Sequence, residues 1–132
     1  MSLAVSDRLD ILDVLARADN AASRRDRDAY VELFTDDVVL DGDQGLHVGK
    51  ETLRQAVGPI WAGEGTATLH LTLNPTLEMA GSSSDEVIAH SVLLIVQPDA
   101  TPQIRTAAII TQRLRRVGAF WRISHRTVKT AT

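Results

Sequence analysis

In Thr68-Leu69-His70-Leu71-Thr72-Leu73-Asn74, leucine takes every second position, with threonine, histidine and asparagine between. Successive side chains of an extended chain point to opposite faces, so this segment reads as a strand with one apolar and one polar face. An apolar face of that extent left in water would make the chain sticky. One face must therefore be covered by helices, and the other by a partner chain or a polar cavity.

Toward the C-terminus the same texture recurs. Thr66–Ala80, Glu86–Gln97, Gln103–Val117 and Ala119–Thr130 read as four long strands. They are separated by Gly81-Ser82-Ser83-Ser84-Asp85, by Pro98-Asp99-Ala100-Thr101-Pro102 and by a tight turn at Gly118. Connections this short require antiparallel neighbours. In the third run Ala108, Ile110 and Leu114 oppose Ile109, Thr111, Arg113 and Arg115. A sheet with two partly apolar faces predicts a homodimer formed through the sheet.

Toward the N-terminus the period changes to that of a helix. Leu9, Leu12, Val14, Leu15, Ala18, Ala21 and Ala22 return at three- and four-residue steps, predicting an amphipathic helix over about Ser6 to Arg25 with Ser6-Asp7 as its N-cap. A second helix is expected from Arg27 to Phe34, ended by Thr35-Asp36-Asp37. Val38–Asp41 and Leu46–Val48 read as short strands around Gly42-Asp43-Gln44-Gly45. Gly49-Lys50-Glu51 opens a third helix carrying Leu53, Ala56, Val57, Ile60 and Trp61, which Gly58-Pro59 should end or kink. Helices first and a meander last is an α+β order.

The 132 residues suffice for one core and predict a single domain over 1–132. A hydrophobic share of 44% with 23% charged residues is that of a globular chain, not a disordered one. Fourteen Lys+Arg against 17 Asp+Glu give a net charge of −3, which supplies no field to gather nucleic acid or anionic membrane. The absence of cysteine excludes disulfides, zinc-thiolate sites and a thiol nucleophile. With no signal-like N-terminus and no membrane-length apolar run, the expected location is the cytoplasm. His47, His90 and His125 are scattered, and no carboxylate spacing joins them into a metal site.

The run from Ala22 to Asp41, centred on Leu33-Phe34-Thr35-Asp36-Asp37-Val38-Val39-Leu40-Asp41, resembles the SnoaL-like motif in which a helix ends at a basic-Asp step before a strand. Gly49-Lys50-Glu51-Thr52-Leu53-Arg54, His70-Leu71-Thr72-Leu73-Asn74-Pro75 and Gly118-Ala119-Phe120-Trp121-Arg122-Ile123 resemble further pieces of that family in the same order. The resemblance implies a cone-shaped α+β barrel of the nuclear transport factor 2-like, cystatin-like kind, with N-terminal helices on a curved, mixed, mainly antiparallel sheet. That superfamily holds polyketide cyclases, ketosteroid isomerases, dehydratases, a dehydrochlorinase and pure binding modules, so function must come from the pocket.

His70 matches the histidine that dehydratase-like relatives use as general base, a role suited to a side chain whose ordinary pKa is about 6.5. Ser23 stands where those relatives keep the aspartate that orients the histidine, and Ala18 where they keep a tyrosine. Asp41 or Asp43 lies near the position of an isomerase-type base, and Asp19 is a further carboxylate one position from Ala18. Trp61 is expected at the cavity mouth and Asn74 on the polar face beside His70. The resemblance thus implies His70 and Asp41 as catalytic residues, Ser23, Trp61, Asn74 and Ala18 as ligand-binding positions, and no cofactor or metal. Two readings follow: a cofactor-independent lyase, isomerase or cyclase acting on a small hydrophobic molecule, or a non-catalytic ligand-binding or dimerisation module with a degenerate site.

Overall fold

A computed structural model describes residues 2–65 and 67–130. The chain runs α1 (Val5–Ser23), α2 (Arg27–Glu32), β1 (Phe34–Gly42), β2 (Gly45–Val48), α3 (Lys50–Gly63), β3 (Leu69–Met79), β4 (Glu86–Gln97), β5 (Gln103–Val117) and β6 (Phe120–Thr130). The alternating runs form an antiparallel meander from β3 to β6. β1 then joins β6 in parallel and β2 in antiparallel pairing, so the sheet order is β2-β1-β6-β5-β4-β3. Three helices against this mixed, mainly antiparallel sheet are the α+β barrel that the sequence predicts. Thr66, the first residue expected in β3, lies outside the described residues.

Three local expectations change. Phe34 does not close the second helix but starts β1 opposite Ile123, whose N–H donates to the Leu33 carbonyl at 2.8 Å. Fully buried Phe34 packs there more favourably than at the end of a six-residue helix. α3 runs on through Pro59 to Gly63, because burying Val57 and Trp61 offsets the one backbone bond that proline forfeits. Ser6-Asp7 falls inside α1, which Ala4 precedes without a side-chain cap. Asp7 instead accepts from Arg116 Nη2 at 2.9 Å and Trp121 Nε1 at 3.3 Å, fastening the helix to the sheet. Asp26 is the true capping side chain, accepting the Ala29 N–H of α2 at 3.1 Å.

The inner face of the sheet has two ends. At one, Val87, Ala89, Leu114, Trp121 and Ile123 pack under Ile11, Leu15, Val31, Phe34, Val38 and Leu53. At the other, Leu93, Ile95, Ala108 and Ile110 form a smaller cluster with Val128. It is the polar face of β3 that turns inward: His70 is buried and Thr72 meets α1, while Leu69 and Leu71 are exposed. Among the described residues, no helix is long and apolar enough to cross a membrane.

Two irregularities steer side chains. In β3 the pairing with β4 slips between Leu73 and Thr76, and Asn74 takes a left-handed φ of 55°. Asparagine tolerates that conformation better than most residues. Asn74 is exposed and serves this bulge, so the expectation that it contacts ligand is corrected. In β6, Leu114 pairs with Ile123 but Arg113 pairs with His125, which leaves Ser124 as an extra residue. Trp121 and Ile123 face inward before the bulge, and Arg126 does so after it.

Candidate active site

His70 sits opposite Ile95 on the inner face of the sheet, 8% exposed. Its Nε2 lies 2.8 Å from Oε1 of Glu64, a residue just past the end of α3 where the chain turns back toward β3. The same oxygen receives the Thr68 hydroxyl at 3.2 Å and faces Arg25 Nη1 at 3.4 Å. Arg25 Nη2 also donates to the Gly65 carbonyl and to Thr68 Oγ1, each at 3.0 Å. Arg25 thereby clamps the returning loop to the end of α1 from a left-handed φ of 58°. Strained backbone of this kind persists only where its surroundings enforce it.

Burial pushes the Glu64 carboxyl up, but the hydrogen bonds from His70 and Thr68 and the charges of His70 and Arg25 together outweigh it and hold the group below its ordinary value. Glu64 is therefore ionised near neutrality and can only accept. The proton between the pair belongs to His70, whose Nε2–H donates, and in the neutral ring Nδ1 is left with the lone pair.

Ser23 lies beside the histidine, as the resemblance implies, but acts on a different atom. Its Oγ accepts the backbone N–H of His70 at 2.9 Å, so it positions the strand instead of orienting the ring. Asp19 faces β3 as well, accepting the Thr72 N–H at 2.7 Å and the Thr72 hydroxyl at 3.0 Å. Burial raises its pKa, against the charge of Arg126 and these two bonds. Ala18 is buried in the apolar core and does not line the cavity, which corrects its expected place at the ligand. Asp41 is exposed; its neighbour Leu40 lines the cavity, and the alternation of β1 turns Asp41 to the other face. The structure therefore does not bring Asp41 to His70, although Asp43 reaches the cavity rim.

The cavity that His70 and Glu64 border measures about 170 Å³ and is half open. Leu40, Val57, Ile60, Leu93, Ile95 and Val128 give it apolar walls, and Trp61 and Tyr30 meet edge to face at one side with ring centroids 5.2 Å apart. Arg126, 6% exposed, brings a guanidinium to the wall. Neither Glu64 nor Arg126 was legible from strand periodicity. Glu64 lies in a Gly-Glu-Gly loop that reads as punctuation, and simple alternation from Trp121 and Ile123 selects His125 instead of Arg126. Arg122, Ser124, His125, Thr127 and Lys129 share β6 with Arg126, so no polar exception in that strand singled it out. Among the described residues, no three His, Asp or Glu side chains converge in a group that could hold a metal.

The family model described as a SnoaL-like domain matches residues 4–127. The chain belongs to the SnoaL-like domain family. Solved structures agree on the fold. A cystatin-like protein of unknown function from Nostoc punctiforme is 24% identical with a TM-score of 0.88, covering 98% of this chain and 95% of that one. The hexachlorocyclohexane dehydrochlorinase LinA-type3 from Novosphingobium barchaimii is 18% identical with a TM-score of 0.82, covering 97% and 88%. ActVI-ORFA from Streptomyces coelicolor is 15% identical with a TM-score of 0.83, covering 94% and 97%. No curated protein matches the chain in sequence.

Proposed function

We propose that this chain is a cofactor-independent proton-transfer enzyme, a lyase, isomerase or cyclase acting on a small, largely hydrophobic molecule, with His70 as base and Glu64 as its partner. The observation that carries this is the 2.8 Å His70–Glu64 pair at the wall of a partly enclosed cavity. A lone buried histidine would pay to become charged. Here the imidazolium formed when Nδ1 takes a proton is met by a carboxylate already ionised and already in contact with the ring, the role an aspartate plays for other catalytic histidines. Glu64 supplies from a loop the charge that Ser23 cannot supply from α1. The dehydrochlorinase named above, a structural neighbour, carries out an elimination by its name, which is compatible with this class of chemistry.

The protein works as a homodimer in this reading. Leu69, Leu71, Ile104 and Ile109 are 45%, 36%, 63% and 53% exposed on the outer face. The pairings Leu69–Val96–Ile104 and Leu73–Val92–Ile109 set them side by side across three strands. A patch of that continuity is suited to a second copy of the same face.

The competing reading, a binding module, draws on the size of the cavity, which is smaller than the roughly 300–1,000 Å³ common for ligand sites. Deuterium exchange separates the two. A panel of small cyclic ketones in D2O, followed by proton NMR, should lose signal at the carbon next to the carbonyl. His70→Ala should slow that exchange by about 10²–10⁴-fold, and Glu64→Gln should slow it while leaving the fold intact. Ketones that bind, as shown by ligand line broadening, but exchange no faster than in buffer would overturn the enzyme reading in favour of the module.

A further inference from the structure

Arg126 poses a problem that the His70–Glu64 pair does not solve. An arginine cannot shed its charge, and a buried charge without a partner costs several kcal/mol. Arg17, Arg25, Arg54, Arg113, Arg115, Arg116 and Arg122 each pair with a carboxylate. Arg8, Arg24, Arg27 and Arg105 are exposed to water. Arg126 is 6% exposed, and among the described residues no carboxylate forms an ion pair with it. The nearby Asp19 feels its charge but spends one oxygen on the Thr72 N–H and the other on the Thr72 hydroxyl. The Tyr30 hydroxyl, buried against the same cavity, meets the Arg126 guanidinium, but burial raises its pKa and it is neutral near pH 7, so it offers a hydrogen bond and no countercharge. The Glu64 carboxylate is already matched by Arg25 and His70.

The bulge at Ser124 places this charge on the wall of the cavity, among Leu40, Leu93, Ile95 and Val128. A space of about 170 Å³ is close to the roughly 150 Å³ that accepts one benzene ring in an engineered apolar cavity. We propose that Arg126 is the seat for the anionic group of the ligand, and that the ligand is a single-ring carboxylate whose ring fills the apolar part of the cavity. The planar guanidinium fork matches a carboxylate edge to edge, and its charge is neutralised only when the ligand arrives. This names the substrate class of the site proposed above and rests on that site being a ligand cavity, but not on its being catalytic.

The test is calorimetric titration of the full chain with benzoate, cyclohexanecarboxylate and the neutral isostere benzamide. Wild type should bind at least one of the two carboxylates about tenfold or more tightly than benzamide, the margin of a charge-assisted pair. Arg126→Gln should abolish that preference, and Arg126→Lys, which keeps the charge without the fork, should retain part of it. Thermal unfolding of each variant establishes that it is folded, and Arg126→Lys carries the test if Arg126→Gln does not fold. The proposal is overturned if wild type binds neither carboxylate, shows no preference over benzamide, or keeps its full preference in Arg126→Gln. Chloride protecting the chain against heat as strongly as benzoate would overturn the ring part of the assignment. Carboxylate preference without deuterium exchange would leave this proposal standing and remove the enzyme reading; ketone exchange without carboxylate preference would do the reverse.

Discussion

The two ends of the barrel are built from the same strands for opposite purposes. At the packed end Ile11, Val31, Phe34, Val38, Leu114 and Ile123 are fully buried, and Asp7, at its edge, is matched by Arg116 and the Trp121 indole. At the cavity end the same sheet carries His70, Glu64 and Arg126 around an open space. Between the two ends of the inner face, Ser91 Oγ and Gln112 Oε1 are buried without a partner among the described residues. Apolar burial and full packing stabilise the first end, whereas the Arg126 charge without a countercharge and the missing contacts around the space cost stability at the second. On the proposed reading, a site that must receive a ligand cannot also be filled by its own protein, and the cavity end gives up stability for that purpose.

The largest test of that contrast is truncation. Phe34→Ala at the packed end should cost about 3–5 kcal/mol, since neither water nor a neighbour can fill the void. Leu93→Ala, which borders existing space, should fall at the lower edge of the roughly 2–5 kcal/mol range for leucine. Urea midpoints of the two variants check this, and equal losses would remove the contrast. Next in size is Arg126→Met. Replacing a buried unmatched charge with an apolar side chain of similar length should stabilise the empty protein by about 1 kcal/mol or more, an effect opposite in sign to that of Phe34→Ala. A lower melting temperature for this variant would mean that the charge is matched inside the protein.

A smaller effect comes from pH, and it too divides by residue. The Glu64 pKa is lowered by folding, so its contribution is fully present above the ordinary carboxylate value and is lost as pH falls through the folded one. The Asp19 pKa is raised, so holding it ionised costs stability above its folded pKa, and that cost disappears as pH falls toward the unfolded value. From about pH 7 to pH 3, Glu64→Gln should therefore flatten the acid loss of stability, and Asp19→Asn should steepen it. Identical pH profiles for the two variants would contradict the opposite environments assigned to them. The smallest effect belongs to the surface. Arg115→Ala breaks a pair with Asp37 whose side chains are 41% and 66% exposed, and should change the urea midpoint by no more than about 0.5 kcal/mol in equivalent stability.

Composition and periodicity in the sequence determined the order of elements, the four-stranded meander and its two unlike faces, with His70 on the polar one. These follow from local rules, because alternation and helical spacing are properties of consecutive residues. Tertiary structure alone decided the partners. Glu64 reaches His70 only because α3 continues past Pro59 and the loop behind it folds back under Arg25. Arg126 replaces His125 on the inner face only because Ser124 is inserted into the ladder, and a one-residue slip exchanges every side chain between faces. Ser23, foreseen beside the histidine, proved to hold its backbone, and Asp41, foreseen as a second acid, faces outward on a strand that begins at Phe34. A sequence specifies its strands through neighbours one or two residues away. A site is set by bulges, returns and pairings that bring together residues dozens of positions apart.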